Sequence, residues 1–234
     1  MVIIAVANPA GGTGKTTTAR AIATSAVEYG KRTVLVDMDE RATLTFFHGV
    51  ENPRHSSADV LQGRAGISTA GLSTAERYTF IPSSARNSVL ERNPDSAVWS
   101  KNFASAMAAA ELPIDVVVLD LPSSISQALA WGVESATKVV VPFTETIGAI
   151  RGAIQVKNIR ATEVHGLAVL QKDLGSEFAT ELSQEMPILD TAIPKGNQVG
   201  LGELKKQSVL VSSKESVIAQ AYRCLLYTSD AADE

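Results

Sequence analysis

Short apolar runs alternate with longer stretches of helical spacing along most of this chain. Val2–Ala7 is an unbroken apolar run, the pattern of a strand covered on both faces. A glycine-rich stretch at 11–16 follows, then helical character from Thr17 to Tyr29, closed by Gly30 as a C-terminal signal. Thr33–Asp37 (TVLVD) predicts a second strand and Tyr78–Ile81 a third, ending at Pro82. An alanine-rich helix is expected from Trp99 to Ala110, a strand over Asp115–Asp120 (DVVVLD), and another over Lys138–Val141, ended by Pro142. Glu145 to Ala161 reads as helix, and Gly166–Leu170 and Ile188–Ile193 as two weaker strands. Strands alternating with helices at this spacing predict an α/β fold: a mostly parallel central sheet with helices on both faces. No internal repeat or low-complexity linker interrupts the pattern, so a single domain is expected over residues 1–223.

The loop after the first strand carries the most specific chemistry. Residues 9–17 read Pro-Ala-Gly-Gly-Thr-Gly-Lys-Thr-Thr, directly after a strand and before a helix. That is the context a phosphate-binding loop requires, and it makes the expected architecture a three-layer P-loop NTPase. Gly11, Gly12 and Gly14 let the backbone approach phosphate oxygens. The N–H groups of Thr13, Lys15, Thr16 and Thr17 then form an anion nest at a helix N-terminus. Lys15 can reach the β- and γ-phosphates of a nucleotide, and the Thr16 hydroxyl can ligate Mg²⁺. The bland alternative is a glycine-rich turn with an incidental lysine. The flanking strand and helix and the downstream acids weigh against it.

Three aspartates sit at or just past the carboxyl ends of apolar strands. Asp37 and Asp39 lie in VLVDMDERATLTFF, and Asp120 ends DVVVLDLPSS. A single aspartate in such a place is more often a cap or turn residue. Three beside a P-loop converge on the crevice where open α/β sheets bind ligands. A carboxylate there can hold Mg²⁺ through its coordinated waters.

The glycine pair Gly11-Gly12 with Gly14-Lys15-Thr16-Thr17 resembles the deviant Walker A motif KGGxGKT[ST] of the ParA/MinD-type ATPases, since the glycine of the ordinary motif is replaced by Pro9. The likeness extends along nearly the whole chain. Asp37-x-Asp39 resembles that family's D-x-D segment, and Asp120–Ser124 its Walker B segment D-x-P-P-S, with Ser123 in place of the second proline. Ala58–Gly63, Phe80–Ser84, Val139–Pro142 with Gly148 to Gly152, Thr191–Lys195 and Ser216–Arg223 resemble further family segments. The resemblance implies ATP and Mg²⁺ as ligands, with Thr16, Asp37 and Asp120 around the metal, and Lys15 and Asp39 as the catalytic residues, Asp39 positioning the attacking water. It places Pro194 and Lys195 beside the adenine, with Gln171 or Lys172 as the adenine-contacting residue. It further implies an ATP-dependent homodimer, non-specific DNA binding, a centromere-binding ParB-like partner, and a cytoplasmic, nucleoid-associated setting. At the family's signature lysine, which reaches across the dimer to the partner's phosphates, this chain has Ala10. Nucleotide binding should survive that change, while dimerisation and hydrolysis should weaken. A nucleotide-binding scaffold that barely turns over ATP, and a MinD-like positioning ATPase, remain the rival readings.

Composition changes this picture little. The formal net charge is −4, from 21 basic and 25 acidic side chains, which neither announces nor excludes a nucleic-acid partner. Lys195, Lys205, Lys206, Lys214 and Arg223 are candidate phosphate contacts or an ordinary solvated face. The single cysteine, Cys224, excludes a disulfide framework and paired-cysteine metal sites. No export signal or membrane segment is apparent, and the opening apolar run is far too short to span a bilayer. Residues 224–234, CLLYTSDAADE, match the conceptual translation of a transposase-type sequencing adapter, so the natural sequence is expected to stop near Arg223, inside its last helix. Without Asp230, Asp233 and Glu234 the balance is 21 basic against 22 acidic side chains, a net charge of −1.

Overall fold

The computed structural model describes residues 1–92, 94–111, 113–160, 162–170 and 176–230. Its strands are β1 (Val2–Val6), β2 (Thr33–Asp37), β3 (Leu72–Ser73), β4 (Thr79–Ile81), β5 (Val116–Asp120), β6 (Lys138–Phe143), β7 (Val164–Leu170) and β8 (Ile193–Pro194). They form one sheet in the order β3-β4-β2-β5-β1-β6-β7-β8. Only β3, against β4, is antiparallel. The fold is therefore the expected one: a mostly parallel sheet clad by helices on both faces.

Side-chain alternation explains the cladding. Successive residues of a strand point to opposite faces, and Ala5, Val34, Val36, Val117 and Leu119 join one core while Ile4, Val6, Leu35 and Val118 join the other. The first core is closed by Trp99, Phe103 and Met107 of the helix Ser96–Ala108, by Leu129 and Trp131, and by Ala149 to Val156 of the helix Ile147–Ile159. The second is closed by Ala19, Ile22 and Ala23 of α1 (Lys15–Glu28) and by Ile218, Ala219 and Tyr222 of the last helix, Val217–Asp230. That helix runs past Arg223 without a break, and Leu225 is buried in the same core.

Two local expectations are corrected, and one strand was not anticipated. β6 does not stop at Pro142 but continues to Phe143. Val139 donates toward β7, to Glu163 O. By alternation the nitrogen of residue 142 faces the β1 side, where the ladder has already ended at Val140, so proline forfeits no sheet bond. The strand anticipated over Ile188–Ile193 reduces to a single bridge between Ile188 and Gly166, followed by the short β8. The two-residue β3 is too short to leave a periodic signal in the sequence.

At β1 the winding reverses: its connection runs toward β2, while that of its neighbour β5 runs the opposite way to β6. The crevice at the carboxyl end of β1 is the topological switch point, the general ligand site of such sheets.

Candidate functional site

The chain leaves β1 into a loop held by a fully buried side chain. Asn8 Nδ2 donates to Pro142 O (2.9 Å) and Ala149 O (3.1 Å), and Asn8 Oδ1 accepts from Ala10 N (2.9 Å). Gly12 and Gly14 take φ of 71° and 89°, the left-handed region that strains other residues. Gly14 caps α1 without a side-chain hydrogen bond, and the first turn carries no acid. The amide groups of that turn and the positive end of the helix dipole are thus available to an anion. Lys15 is 5% exposed and donates from Nζ to Ala10 O at 2.9 Å. Burial lowers its pKa to about 8, against the opposing pull of Asp120 and Asp39, and Arg41 adds to the lowering.

The acids meet the loop from β2 and β5. Asp37 and Asp120 are in register across these strands, and Val6 is in register with Asp120 on the other side. Thr16 Oγ1 donates to Asp120 Oδ2 at 2.8 Å, whereas Asp120 Oδ1 is buried without a hydrogen-bond partner among the described residues. Asp37 is fully buried with both oxygens engaged: Oδ1 accepts from Asp39 N (3.1 Å), and Oδ2 from Thr45 N (2.9 Å) and Thr45 Oγ1 (2.7 Å). Burial raises the pKa of both carboxyls, and the charge of Asp37 pushes Asp120 further up. A cation between them and the loop would relieve that penalty.

Asp39 is arranged differently. Its Oδ1 accepts from Arg41 N (3.0 Å) and Arg41 Nε (3.1 Å), and its Oδ2 from Arg41 Nη2 (2.7 Å) and Ser123 N (3.3 Å). Burial works to raise its pKa, but the Arg41 guanidinium and the two amides outweigh it and hold the carboxyl below its ordinary value. The family-like proline at position 123 could not make the Ser123 bond, having no N–H.

The structure thus brings together Lys15, Thr16, Asp37, Asp39 and Asp120. Thr13 is buried in the loop, its hydroxyl 3.5 Å from Ala10 O, and Gly11 faces open space. Thr17 points away from the acids, with its hydroxyl on Glu203 Oε1 at 3.4 Å. A Cβ at Gly14 would meet Val169, which pairs with Ile193, so Pro194 and Lys195 stand at the end of the strand beside that contact. Lys195 is engaged by Glu145 Oε2 at 2.6 Å and Arg223 by Glu28 at 2.7 Å, whereas Lys205, Lys206 and Lys214 are exposed. Gln171 and Lys172 lie outside the described residues. Sequence reading missed Asn8, Thr45 and Arg41. A polar residue ending an apolar run, and a base two positions after Asp39, were the available signals.

The donor set suits a phosphate chain with a hard divalent cation. Among the described residues no group of three or more His, Cys, Asp or Glu side chains forms a metal cage. A cation here would rest on the Thr16 hydroxyl, on Asp120 through its free oxygen or a water, and on oxygens brought by the ligand, as Mg²⁺ characteristically does.

Comparison with known proteins agrees with this geometry. Residues 1–169 match the family model described as an AAA domain. The chromosome partitioning protein ParA of Caulobacter vibrioides is 25% identical, covering 94% of this chain and 90% of its own length. The cobyrinic acid a,c-diamide synthase of Mycobacterium smegmatis, solved with a bound ATP analog and magnesium, superposes with a TM-score of 0.71 at 26% identity over 95% of this chain and 91% of that one. The cell division ATPase MinD of Pyrococcus furiosus shares the fold, with a TM-score of 0.80 at 21% identity over 99% of both chains. With a glycine-rich loop at the switch point, a buried lysine at its end and three strand-end aspartates around it, the chain belongs to the AAA-domain family, as a P-loop ATPase of the ParA/MinD type.

Proposed function

We propose that this protein is a ParA-like ATP-binding switch of DNA segregation, which binds Mg-ATP at the loop after β1, dimerises in response and hydrolyses ATP slowly. The observation that carries the nucleotide reading is the meeting of Thr16 with Asp120, whose second oxygen is buried and unpaired beside an uncapped helix N-terminus. Gly11, Gly12, Thr13, Gly14, Lys15, Thr16 and Thr17 hold the phosphates. Thr16, Asp37 and Asp120 hold Mg²⁺ directly or through water, and Pro194 and Lys195 border the adenine. Mg²⁺ supplies charge neutralisation of the phosphates when bound. Asp39 orients the attacking water.

The ParA relative favours DNA segregation as the task, with non-specific DNA and a ParB-like protein as partners. Of the five candidate basic side chains, Lys205, Lys206 and Lys214 are exposed for phosphate contacts, while Lys195 and Arg223 are engaged by acids. Among the described residues no helix is long and apolar enough to cross a membrane. One observation favours the scaffold reading in part: Ala10 offers no charge to a partner's phosphates, where positive charge supplied from outside a site is worth about 10³–10⁵ in rate.

The test is ATP turnover and ATP-dependent dimerisation of the chain beside Ala10→Lys, with and without DNA. Faster turnover and tighter dimerisation of the lysine variant are expected. Equal behaviour of the two proteins would show that the signature position is irrelevant here, and absence of nucleotide binding to both would overturn the reading as a whole.

A further inference from the structure

Arg41 holds an unusual position. Its three contacts, with one from Ser123, occupy the Asp39 carboxylate, so Asp39 has no geometry left to orient a water while the pair persists. The Arg41 side chain is nevertheless 59% exposed, against 12% for Asp39, so water competes for the guanidinium and lowers the cost of its leaving. Its backbone is fixed, because Ala42 N closes a turn onto Asp39 O (2.9 Å) and Ala42 adopts a left-handed φ of 54°. Only the side chain has freedom to move. A cleft of about 220 Å³ opens beside it, lined by Asp39, Glu40, Glu91, Ser123 and Ser124 among others. Its charge is favoured first by Asp39 and to a smaller degree by Glu40 and Asp120, and it opposes protonation of Lys15.

Building on the nucleotide reading above, we propose that Arg41 is a catalytic residue that leaves Asp39 for the γ-phosphate of bound ATP, supplying within the same chain the positive charge that Ala10 cannot. The exchange does two things at once. It places a guanidinium, whose planar fork matches phosphate oxygens, on the group where charge builds during transfer. It also releases Asp39 to accept a hydrogen bond from the attacking water. The water oxygen then bonds to the γ-phosphorus as the bond from that phosphorus to the β–γ bridging oxygen breaks. The electron pair stays on the β-phosphate of ADP, and the water's proton passes to the departing phosphate or to solvent. ADP lacks the γ-phosphate and leaves Arg41 on Asp39, so the pair distinguishes the two nucleotides.

The experiment compares the full chain with Arg41→Ala and Arg41→Lys for binding of Mg-AMPPNP and of Mg-ADP, and for ATP turnover. Arg41→Ala should bind Mg-AMPPNP about tenfold more weakly, the scale of one charge-assisted hydrogen bond, with Mg-ADP affinity unchanged. Turnover should fall about 100-fold or more, with Arg41→Lys in between and Ala10→Lys restoring activity to Arg41→Ala. Equal weakening for both nucleotides would assign Arg41 a merely structural role. Faster turnover in Arg41→Ala would make it an inhibitory latch, and either result overturns the proposal. If the unaltered chain binds neither nucleotide, the failure lies with the nucleotide reading itself.

Discussion

A Cβ placed on Gly152 would stand 2.2 Å from Asn8 Oδ1 and 3.3 Å from Ala10 N, so the helix after β6 and the anchor of the phosphate loop touch with no room for a methyl group. Asn8 in turn ties that loop to Pro142 O and Ala149 O. Gly152→Ala must therefore displace either the asparagine or the helix. Overpacking of this kind costs about 1–3 kcal/mol, and here the strain falls on the loop. The variant is expected to lose both thermal stability and nucleotide affinity. The neighbouring Gly148→Ala, where the space is open, should keep both. Comparable melting and ATP binding in the two variants would refute the coupling.

Lys15 is expected to make nucleotide affinity depend on pH. Burial holds its pKa at about 8 in the ligand-free chain, and phosphate charge beside it must raise that value on binding. Binding then takes up a proton where the free lysine is partly neutral. Affinity for Mg-ATP should accordingly fall as the pH rises from about 8 to 9. Calorimetry in buffers of different ionisation enthalpy should show proton uptake at pH 8.5 that turns to release at pH 6.5, where Lys15 is already charged and the cation displaces protons from Asp37 and Asp120. Proton release at pH 8.5 would contradict the assignment.

Much of this was legible in the sequence because each part carried a local signal. Apolar runs such as Val2–Ala7 and DVVVLD mark buried parallel strands, and a P-loop is a contiguous motif. Position in sequence also placed Lys15, Thr16, Asp37, Asp39 and Asp120 together. The remainder depends on three-dimensional pairing. Nothing in the local sequence of Asn8 says that it bonds to residues 134 and 141 positions away. Nor does Arg41 differ in sequence from an ordinary surface base, since its hold on Asp39 follows from the turn at Ala42. The Ile188–Ile193 run looked like a strand because it is apolar. Its backbone partner on β7 is satisfied by Pro187 and Leu189 around Gly166 alone, and the chain then moves off.

The buried pair Arg20–Glu76 should prove a stability determinant of α1. Arg20 bonds to both Glu76 oxygens, at 3.2 and 3.0 Å, and to Lys206 O. Glu76 also accepts from Tyr78 Oη and Ser208 N, both at 2.6 Å. The two side chains are only 7% and 5% exposed. Removing one partner of a buried pair strands the other charge at a cost of about 3–5 kcal/mol. Glu76→Gln is expected to be destabilising on that scale in chemical denaturation, and the double variant Arg20→Met with Glu76→Leu to recover a large part of the loss. Additive losses in the double variant would show that the charges are not coupled.

His48 adds an acid-sensitive element to the same region. Its ring stacks on Phe80 at 3.9 Å, with Nε2 2.8 Å from Tyr78 Oη and Nδ1 2.8 Å from Leu44 O. Burial, reinforced by the Arg20 charge, lowers its pKa to about 4 from an ordinary 6.5. Between those values the unfolded chain binds a proton that the folded chain refuses. The stability tied to neutral His48 is therefore complete above pH 6.5 and is lost as the pH falls toward 4. The full effect is on the order of 3 kcal/mol. Asp37 and Asp120 act in the opposite sense, since burial raises their folded-state pKa values and favours the folded chain as the pH falls. The slope of the unaltered chain is then a difference of the two effects, and the His48 share is isolated by substitution. His48→Gln should be less stable at pH 7.5, where the stack on Phe80 and the bond to Leu44 O are lost. It should also lose less stability than the unaltered chain between pH 6.5 and 4.5. Denaturation curves with parallel pH profiles for the two proteins would exclude His48 as the titrating group.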